Sequence, residues 1–148
     1  MLKKDWRRVE AIARAIVEAE TRAEQLRSRM IDLLRRLERK FGALPSIVAT
    51  RAEYTERVPE KIRLLDKAYE SAVSQGDQLN KVLISSSIAR VFVEDLGDVK
   101  AGKQWLARLR RHLSEHFDKV ESAEYGRLSR RLASQTRRRR KRTPRANA

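Results

Sequence analysis

Two histidines four residues apart are the nearest approach to a metal site in this sequence. His112 and His116 lie one helical turn apart, so both would face one side of a helix, as two zinc ligands can. A zinc site needs a third ligand, and the helical metalloprotease motif places an acid directly after the first histidine, where this chain has Leu113. We therefore expect no metal and no other cofactor, and we interpret the pair as partly exposed histidines.

Groups that could act as nucleophile or acid are equally isolated. Ser85, Ser86 and Ser87 fall in the middle of a predicted helix, where small side chains let neighbouring helices approach closely. Glu94 and Asp95 are adjacent, so on a helix they point in different directions and do not converge on a substrate. No glycine-rich phosphate loop is present, and no set of nucleophile, base and orienting group can be assembled. The sequence predicts that the chain is not an enzyme.

Binding chemistry is concentrated near the C-terminus, in a run of six consecutive cations. Guanidinium groups bind phosphate and carboxylate through a planar fork of donors. The run repels itself and Pro144 would end a helix, so we predict a disordered basic tail over 137–148, preceded by a basic helix over 118–136. The candidate residues for binding nucleic acid or an acidic partner are Arg127, Arg130, Arg131, Arg137, Arg138, Arg139, Arg140, Lys141 and Arg142.

The net charge of +15 is distributed unevenly along the chain. Residues 1–41 carry a net charge of +5, residues 42–117 a net charge of +2, and residues 118–148 a net charge of +8. The middle is therefore near neutral, and the two ends could attach electrostatically to an acidic partner.

Residues 5–41 have the pattern of one long helix, with Asp5 as its N-cap and Gly42 as its stop. Its apolar residues recur at alternating spacings of three and four, which is a heptad seam and predicts a coiled-coil-like helix. The seam consists of Val9, Ile12, Ile16, Ala19, Ala23, Leu26, Met30, Leu33 and Leu37.

Arginines beside this seam limit its partner. Arg22, Arg29 and Arg36 occupy flanking heptad positions, where a parallel homodimer would bring Arg22 close to Arg27 of the second copy. Like charges there are unfavourable. We therefore expect the seam to pack on this chain's own helices or on a more acidic protein, with a homo-oligomer as an open alternative.

Residues 42–117 break into shorter predicted helices. The pairs Gly76-Asp77 and Gly97-Asp98 predict helix-to-helix turns with minimal loops, and no alternating pattern predicts a strand. The segment 79–117 resembles one tetratricopeptide repeat hairpin. The positions that carry the resemblance are Ile88, Ala89, Phe92, Ala101 and Trp105. This resemblance implies a concave surface that binds a peptide or helix of another protein.

The sequence as a whole predicts an all-α fold, with a long N-terminal helix, short antiparallel hairpins over 42–117 and the basic C-terminal tail. No cysteine, no signal peptide at the charged start and no spanning apolar run are found, so a cytoplasmic location is expected, or a nuclear one in a eukaryote. The tail has no interleaved Leu, Phe or Trp, so no membrane attachment is expected.

Two functions are compatible with these features. The first is a non-enzymatic adaptor that binds another protein and is tethered by its tail to nucleic acid or an acidic partner. The alternative is a regulatory protein in which the tail and last helix bind DNA or RNA. The candidate protein-partner surface comprises Val9, Ile12, Ile16, Leu26, Met30, Leu33, Tyr54 and Tyr69.

Overall fold

The computed structural model describes residues 3–19 and 22–142, together with the side chains of all of these except Arg142. This part of the chain contains seven α-helices, one π-helical turn and no strand, which confirms the all-α prediction. The helices are α1 (Lys3–Glu18), α2 (Ala23–Phe41), α3 (Pro45–Glu53), α4 (Val58–Ser74), α5 (Gln78–Arg90), α6 (Val99–Glu115) and α7 (Lys119–Arg142). The chain divides into two compact units, with the boundary after Ser71.

In the N-terminal unit, α1 packs against α2 and α2 packs against α3. Periodic apolar residues of both helices meet in one cluster, where Val9 of α1 lies with Met30 and Leu37 of α2 and Ile47 of α3. Removing these periodic apolar side chains from water is the main way in which they stabilise the unit. Helix α4 buries Leu64, Leu65 and Ala68. It also forms polar contacts with the unit, including an ion pair of 3.1 Å between Lys67 Nζ and Glu38 Oε1.

The prediction of one continuous helix over 5–41 was wrong. Two helices occupy the segment, with a break between Glu18 and Ala23, and the seam is buried within the chain. A heptad stripe has the same spacing whether its partner helix belongs to the same chain or to another, so periodicity could not place the break. Asp5 is also not an N-cap: it lies inside α1, is buried, and forms an ion pair of 3.5 Å with Lys40.

In the C-terminal unit, α5, α6 and α7 each pack against the other two. The predicted turns are present: Gly76 and Gly97 have φ of +65° and +59°, the left-handed conformation that glycine adopts most readily. Asp77 and Asp98 then cap α5 and α6, each accepting a hydrogen bond of 3.0 Å from the backbone N–H three residues on. The resemblance to a tetratricopeptide hairpin stays a prediction.

Helix α5 ends in a π-helical turn, Val91–Asp95. The N–H of Leu96 donates to the carbonyl of Val91 over 3.0 Å, the wider pairing that defines this turn. Nearby, Gly102 of α6 lets two side chains approach its backbone, since an added Cβ would lie 2.9 Å from Val93 Cγ2 and 3.3 Å from Leu132 Cδ1. The turn, α6 and α7 are therefore packed so closely that a larger residue at this position would force its neighbours to shift.

Helix α7 continues to Arg142, which differs from the prediction of a disordered tail over 137–148. Residues 137–142 are helical, and residues 143–148 lie outside the described residues. The prediction rested on like-charge repulsion, which is opposed by hydrogen bonds from α7 to the π-helical turn and the loop after it.

Candidate nucleic-acid interface

Helix α7 is positioned by a cap at its start and by buried residues along one side. Asp118 Oδ1 accepts a hydrogen bond of 2.9 Å from the N–H of Glu121, so the N-terminus of the helix is capped. Leu128 and Leu132 are buried, and α7 packs on both α5 and α6. These two buried leucines fix the rotation of the helix about its axis. Helical periodicity then indicates which of the remaining residues face the unit and which face solvent.

Polar residues on the inner side of α7 hold the π-helical turn and the residues after it. Gln135 Nε2 donates to the carbonyl of Val93 over 2.8 Å. One turn further, a guanidinium nitrogen of Arg139 donates to the carbonyl of Gly97 over 2.9 Å. One acceptor lies in the π-helical turn and the other in the loop that follows it, where backbone carbonyls lack the regular partners of an α-helix. Arg139, a predicted binding residue, therefore attaches the distal part of α7 to the rest of the unit.

Arg127, another predicted binding residue, is held by carboxylates of its own unit. Its guanidinium lies 2.7 Å from Glu124 Oε2 and 2.5 Å from Glu94 Oε1, and Arg90 lies 2.9 Å from Glu124. The hydrogen bond from Arg127 is the main cause that lowers the pKa of Glu124 to about 2, with Arg90 adding to the effect. The same guanidinium lowers the pKa of Glu94. Arg127 thus belongs to an internal ion-pair network.

Apart from Arg127 and Arg139, the cations of α7 whose side chains are described lie on the outward side of the helix. Arg130, Arg137 and Lys141 are spaced by seven and four residues, so they share one face, which we call the outer stripe. At 1.5 Å per residue this stripe is roughly 16 Å long. Arg131 and Arg138 form a parallel row beside it, also seven residues apart.

These exposed cations are available to an external anion. Within the described part of the chain they form no ion pair with a carboxylate. The residues concerned are Arg130, Arg137, Arg138, Arg140 and Lys141, whereas Arg131 lies close enough to Glu94 to help lower the pKa of that carboxyl. Arg142 continues the helix, and its side chain lies outside the described part of the chain. The predicted residues whose side chains are described are therefore divided between those that hold the fold and those that face solvent.

Most of the predicted protein-partner residues do not form an open surface. Val9, Met30 and Leu33 are buried in the cluster of the N-terminal unit, and they are core residues. The remaining members are half-buried, and Tyr54 packs against the same cluster. The half-buried members are Ile12, Ile16, Leu26, Tyr54 and Tyr69.

The two histidines differ from the prediction of two partly exposed rings. His112 is buried, and desolvation lowers its pKa, with the nearby Arg111 acting in the same direction. His116 is exposed after the end of α6. Among the residues described, no group of three or more His, Cys, Asp or Glu side chains is placed to hold a metal ion.

A groove between α6 and α7 was not anticipated from the sequence. It has a volume of about 400 Å³, and small side chains at Ala107, Ser129 and Ala133 leave it open. Lys103 and Arg110 of α6 line it with basic side chains. Recurring small residues on facing helices were the only signal for such a groove, and they also fit ordinary close packing.

Comparisons with protein families, with characterised proteins and with solved structures gave no match to this chain. The described residues also include no helix that is both long and apolar enough to cross a bilayer. The function must therefore be inferred from the geometry and charge of the surfaces of the two units.

Proposed function

We propose that this chain is a non-enzymatic protein that binds the sugar–phosphate backbone of double-stranded nucleic acid through the outward side of α7. One observation carries the proposal: α7 remains helical to Arg142 and presents exposed cations that have no carboxylate partner within the described chain. Cations with no ion-pair partner are available to attract an external polyanion.

Phosphate is the favoured anion because of the shape and composition of this surface. The exposed cations are mostly arginines, whose planar donors match phosphate oxygens, and no aromatic residue lies among positions 126–142 to stack on bases. Contacts to phosphate give affinity without base discrimination. Binding that depends little on sequence is therefore expected.

Duplex geometry suits a helix with cations on several sides. The major groove is about 12 Å wide and admits an α-helix, which places phosphates of both strands on either side of it. The outer stripe, the row of Arg131 and Arg138, and Arg140 on the opposite flank would then face different phosphates. A single strand offers phosphates to only one of these rows at a time.

Fluorescence anisotropy with a labelled duplex of arbitrary sequence tests the proposal. For the pair of substitutions Arg130→Gln and Arg137→Gln, the slope of log affinity against log salt should become shallower by about 2, because each lost phosphate contact contributes about 0.9. The matched control is Arg7→Gln with Arg14→Gln, which removes two exposed cations from α1. Equal losses in the two variants would contradict a role for α7 and indicate diffuse attraction by net charge.

A protein-binding adaptor is the second candidate, and the groove between α6 and α7 favours it. Its small lining residues and the basic Lys103 and Arg110 suit an acidic amphipathic helix. The resemblance of 79–117 to a tetratricopeptide hairpin supports the same role. Calorimetry with acidic amphipathic peptides tests it: Ala107→Arg, which fills the groove, should abolish any binding that the unaltered protein shows.

A further inference from the structure

The N-terminal unit carries its own cationic surface, separate from α7. Helices α1 and α2 flank a groove of about 540 Å³ that includes Arg8 of α1 and Arg29, Arg36 and Lys40 of α2. All four side chains belong to exposed residues. This groove lies beside the buried seam, since Leu33 and Leu37 also line it.

Helical spacing aligns the three cations of α2. Arg29, Arg36 and Lys40 are separated by seven and four residues, so they share one face over roughly 16 Å. The outer stripe of α7 has the same residue types at the same spacing. In the sequence, Arg29 and Arg36 stand out only as groups that would repel a second copy of this helix.

Two carboxylates also line the groove, and each has a nearby cation. Asp5 is buried and lies 3.5 Å from Lys40, which also stands 4.8 Å from the centre of the Phe41 ring. Asp32 lies 4.0 Å from Arg35, a residue that does not line the groove. Lys40 therefore has a carboxylate partner within the groove.

Three guanidinium groups remain after these pairs are assigned. Arg8, Arg29 and Arg36 form no ion pair with a carboxylate among the described residues. Arg8 comes from the facing helix, so the three cations are distributed over both sides of the groove. We call these three residues the hairpin cluster.

We propose that the hairpin cluster is a second site for the phosphate backbone of double-stranded nucleic acid. This inference rests on the proposed function and extends it to the N-terminal unit. Three arginines with no internal ion pair match a row of phosphates in charge, and each can donate two hydrogen bonds to one phosphate. A lipid surface fits less well, because the groove offers no exposed large apolar side chain for insertion.

The test compares double variants of the full chain on one probe, a labelled duplex of about 30 base pairs, between about 0.05 and 0.2 M salt. Arg29→Gln with Arg36→Gln should make the salt slope shallower by about 2 and weaken binding by about 10- to 100-fold near 0.1 M salt. The conservative pair Arg29→Lys with Arg36→Lys keeps both charges and should retain most of the slope. Circular dichroism melting of each variant shows whether the fold is kept.

The α7 pair, Arg130→Gln with Arg137→Gln, and the control pair, Arg7→Gln with Arg14→Gln, separate the outcomes. If the salt slope became shallower in the α7 variant but not in Arg29→Gln with Arg36→Gln, this inference would be overturned and the proposed function would stand. A shallower salt slope only in Arg29→Gln with Arg36→Gln would support binding by the hairpin cluster and overturn the assignment of the site to α7. Equal loss in the control pair, or no duplex binding by the unaltered chain, would overturn both.

Discussion

At the scale of single residues, Arg127 connects the acid stability of the C-terminal unit to its ion pairs. Glu124 has an ordinary pKa of 4.5, and its hydrogen bond with Arg127 lowers the folded value to about 2. A carboxyl group with a depressed folded pKa stabilises the fold above its unfolded pKa, and this contribution disappears as the pH falls toward the folded value. The depressed pKa of Glu94 acts in the same direction.

We therefore expect the free energy of unfolding to decrease between about pH 5 and pH 2, with Glu124 responsible for about 1 to 2 kcal/mol once solvent screening of the half-exposed Arg127 is allowed for. Urea unfolding across this range measures the decrease. Glu124→Gln should lower stability at pH 7 and match the unaltered protein near pH 2. Glu10→Gln, at an exposed position of α1, is the control. A constant difference between Glu124→Gln and the unaltered protein at every pH would contradict the assignment.

Gly102 provides a second test at this scale. An alanine there gains helix propensity of up to about 1 kcal/mol, but its Cβ would lie 2.9 Å from the branched side chain of Val93. The clash should dominate, so Gly102→Ala is expected to lower the free energy of unfolding by about 1 to 2 kcal/mol. Thermal unfolding gives the value.

The contrasting substitution is Gly126→Ala in α7, where a Cβ would meet only the far end of Arg130 at 3.4 Å. Here the propensity term should prevail, with a gain of about 0.5 to 1 kcal/mol. Adding Val93→Ala to Gly102→Ala should partly relieve the clash. If Gly102→Ala were as stabilising as Gly126→Ala, the close approach of the π-helical turn and α6 would be refuted.

At the scale of elements, like-charge repulsion destabilises the end of α7 and tertiary hydrogen bonds stabilise it. Six consecutive cations oppose helix formation, yet the helix continues through them. Gln135 and Arg139 each bind a backbone carbonyl of a residue 42 positions away in the sequence. The charges are visible in the sequence but these distant acceptors are not, so the sequence predicts a disordered tail.

Helical order in α7 should matter for binding as well as charge. Arg138→Pro removes the same charge as Arg138→Gln but also breaks the helix near its end, since proline clashes with the preceding turn. We expect Arg138→Gln to weaken duplex binding by about the loss of one phosphate contact, and Arg138→Pro to weaken it several-fold more. Anisotropy titrations at fixed salt measure both. Equal effects would mean that charge alone, and no helical arrangement, determines affinity.

At the scale of the whole molecule, local signals predicted the fold better than long-range ones did. The caps at Asp77, Asp98 and Asp118 and the glycine turns depend on neighbouring residues, so they could be predicted from the sequence. The break between Glu18 and Ala23 has no glycine or proline signal, and the apolar pattern continues through it. The network of Arg90, Glu94, Glu124 and Arg127 depends on contacts between residues more than 30 positions apart.

The same limit applies to the candidate site. The sequence shows that the cations are concentrated at the chain ends. It does not show that Arg127 and Arg139 have internal partners whereas Arg130 and Arg137 are exposed. That separation depends on the rotation of α7, which is fixed by Leu128 and Leu132. Only the three-dimensional packing of α7 supplies this information.

Duplex nucleic acid should stabilise the protein if the proposal is correct. A ligand that binds only the folded state raises the free energy of unfolding by about 2.7 kcal/mol when its free concentration is 100 times Kd. Differential scanning fluorimetry with increasing duplex should therefore show a rising transition temperature, and about 0.5 M salt should abolish the rise. A transition temperature that falls with added duplex would indicate preferential binding to the unfolded chain and contradict the proposal.

The π-helical turn also restricts how the length of this chain can change. Each residue of an α-helix turns the chain by about 100° around the axis and advances it by about 1.5 Å. Deleting one residue from Val91–Asp95 would let α5 continue with ordinary pairing, but it would carry Gly97 and the start of α6 around the axis. The side chain of Val93 would then no longer pack against Gly102, and its carbonyl would lose the hydrogen bond from Gln135. Loss of even one residue from this turn should therefore remove contacts that hold α7, whereas a substitution that keeps the chain length leaves the backbone register unchanged.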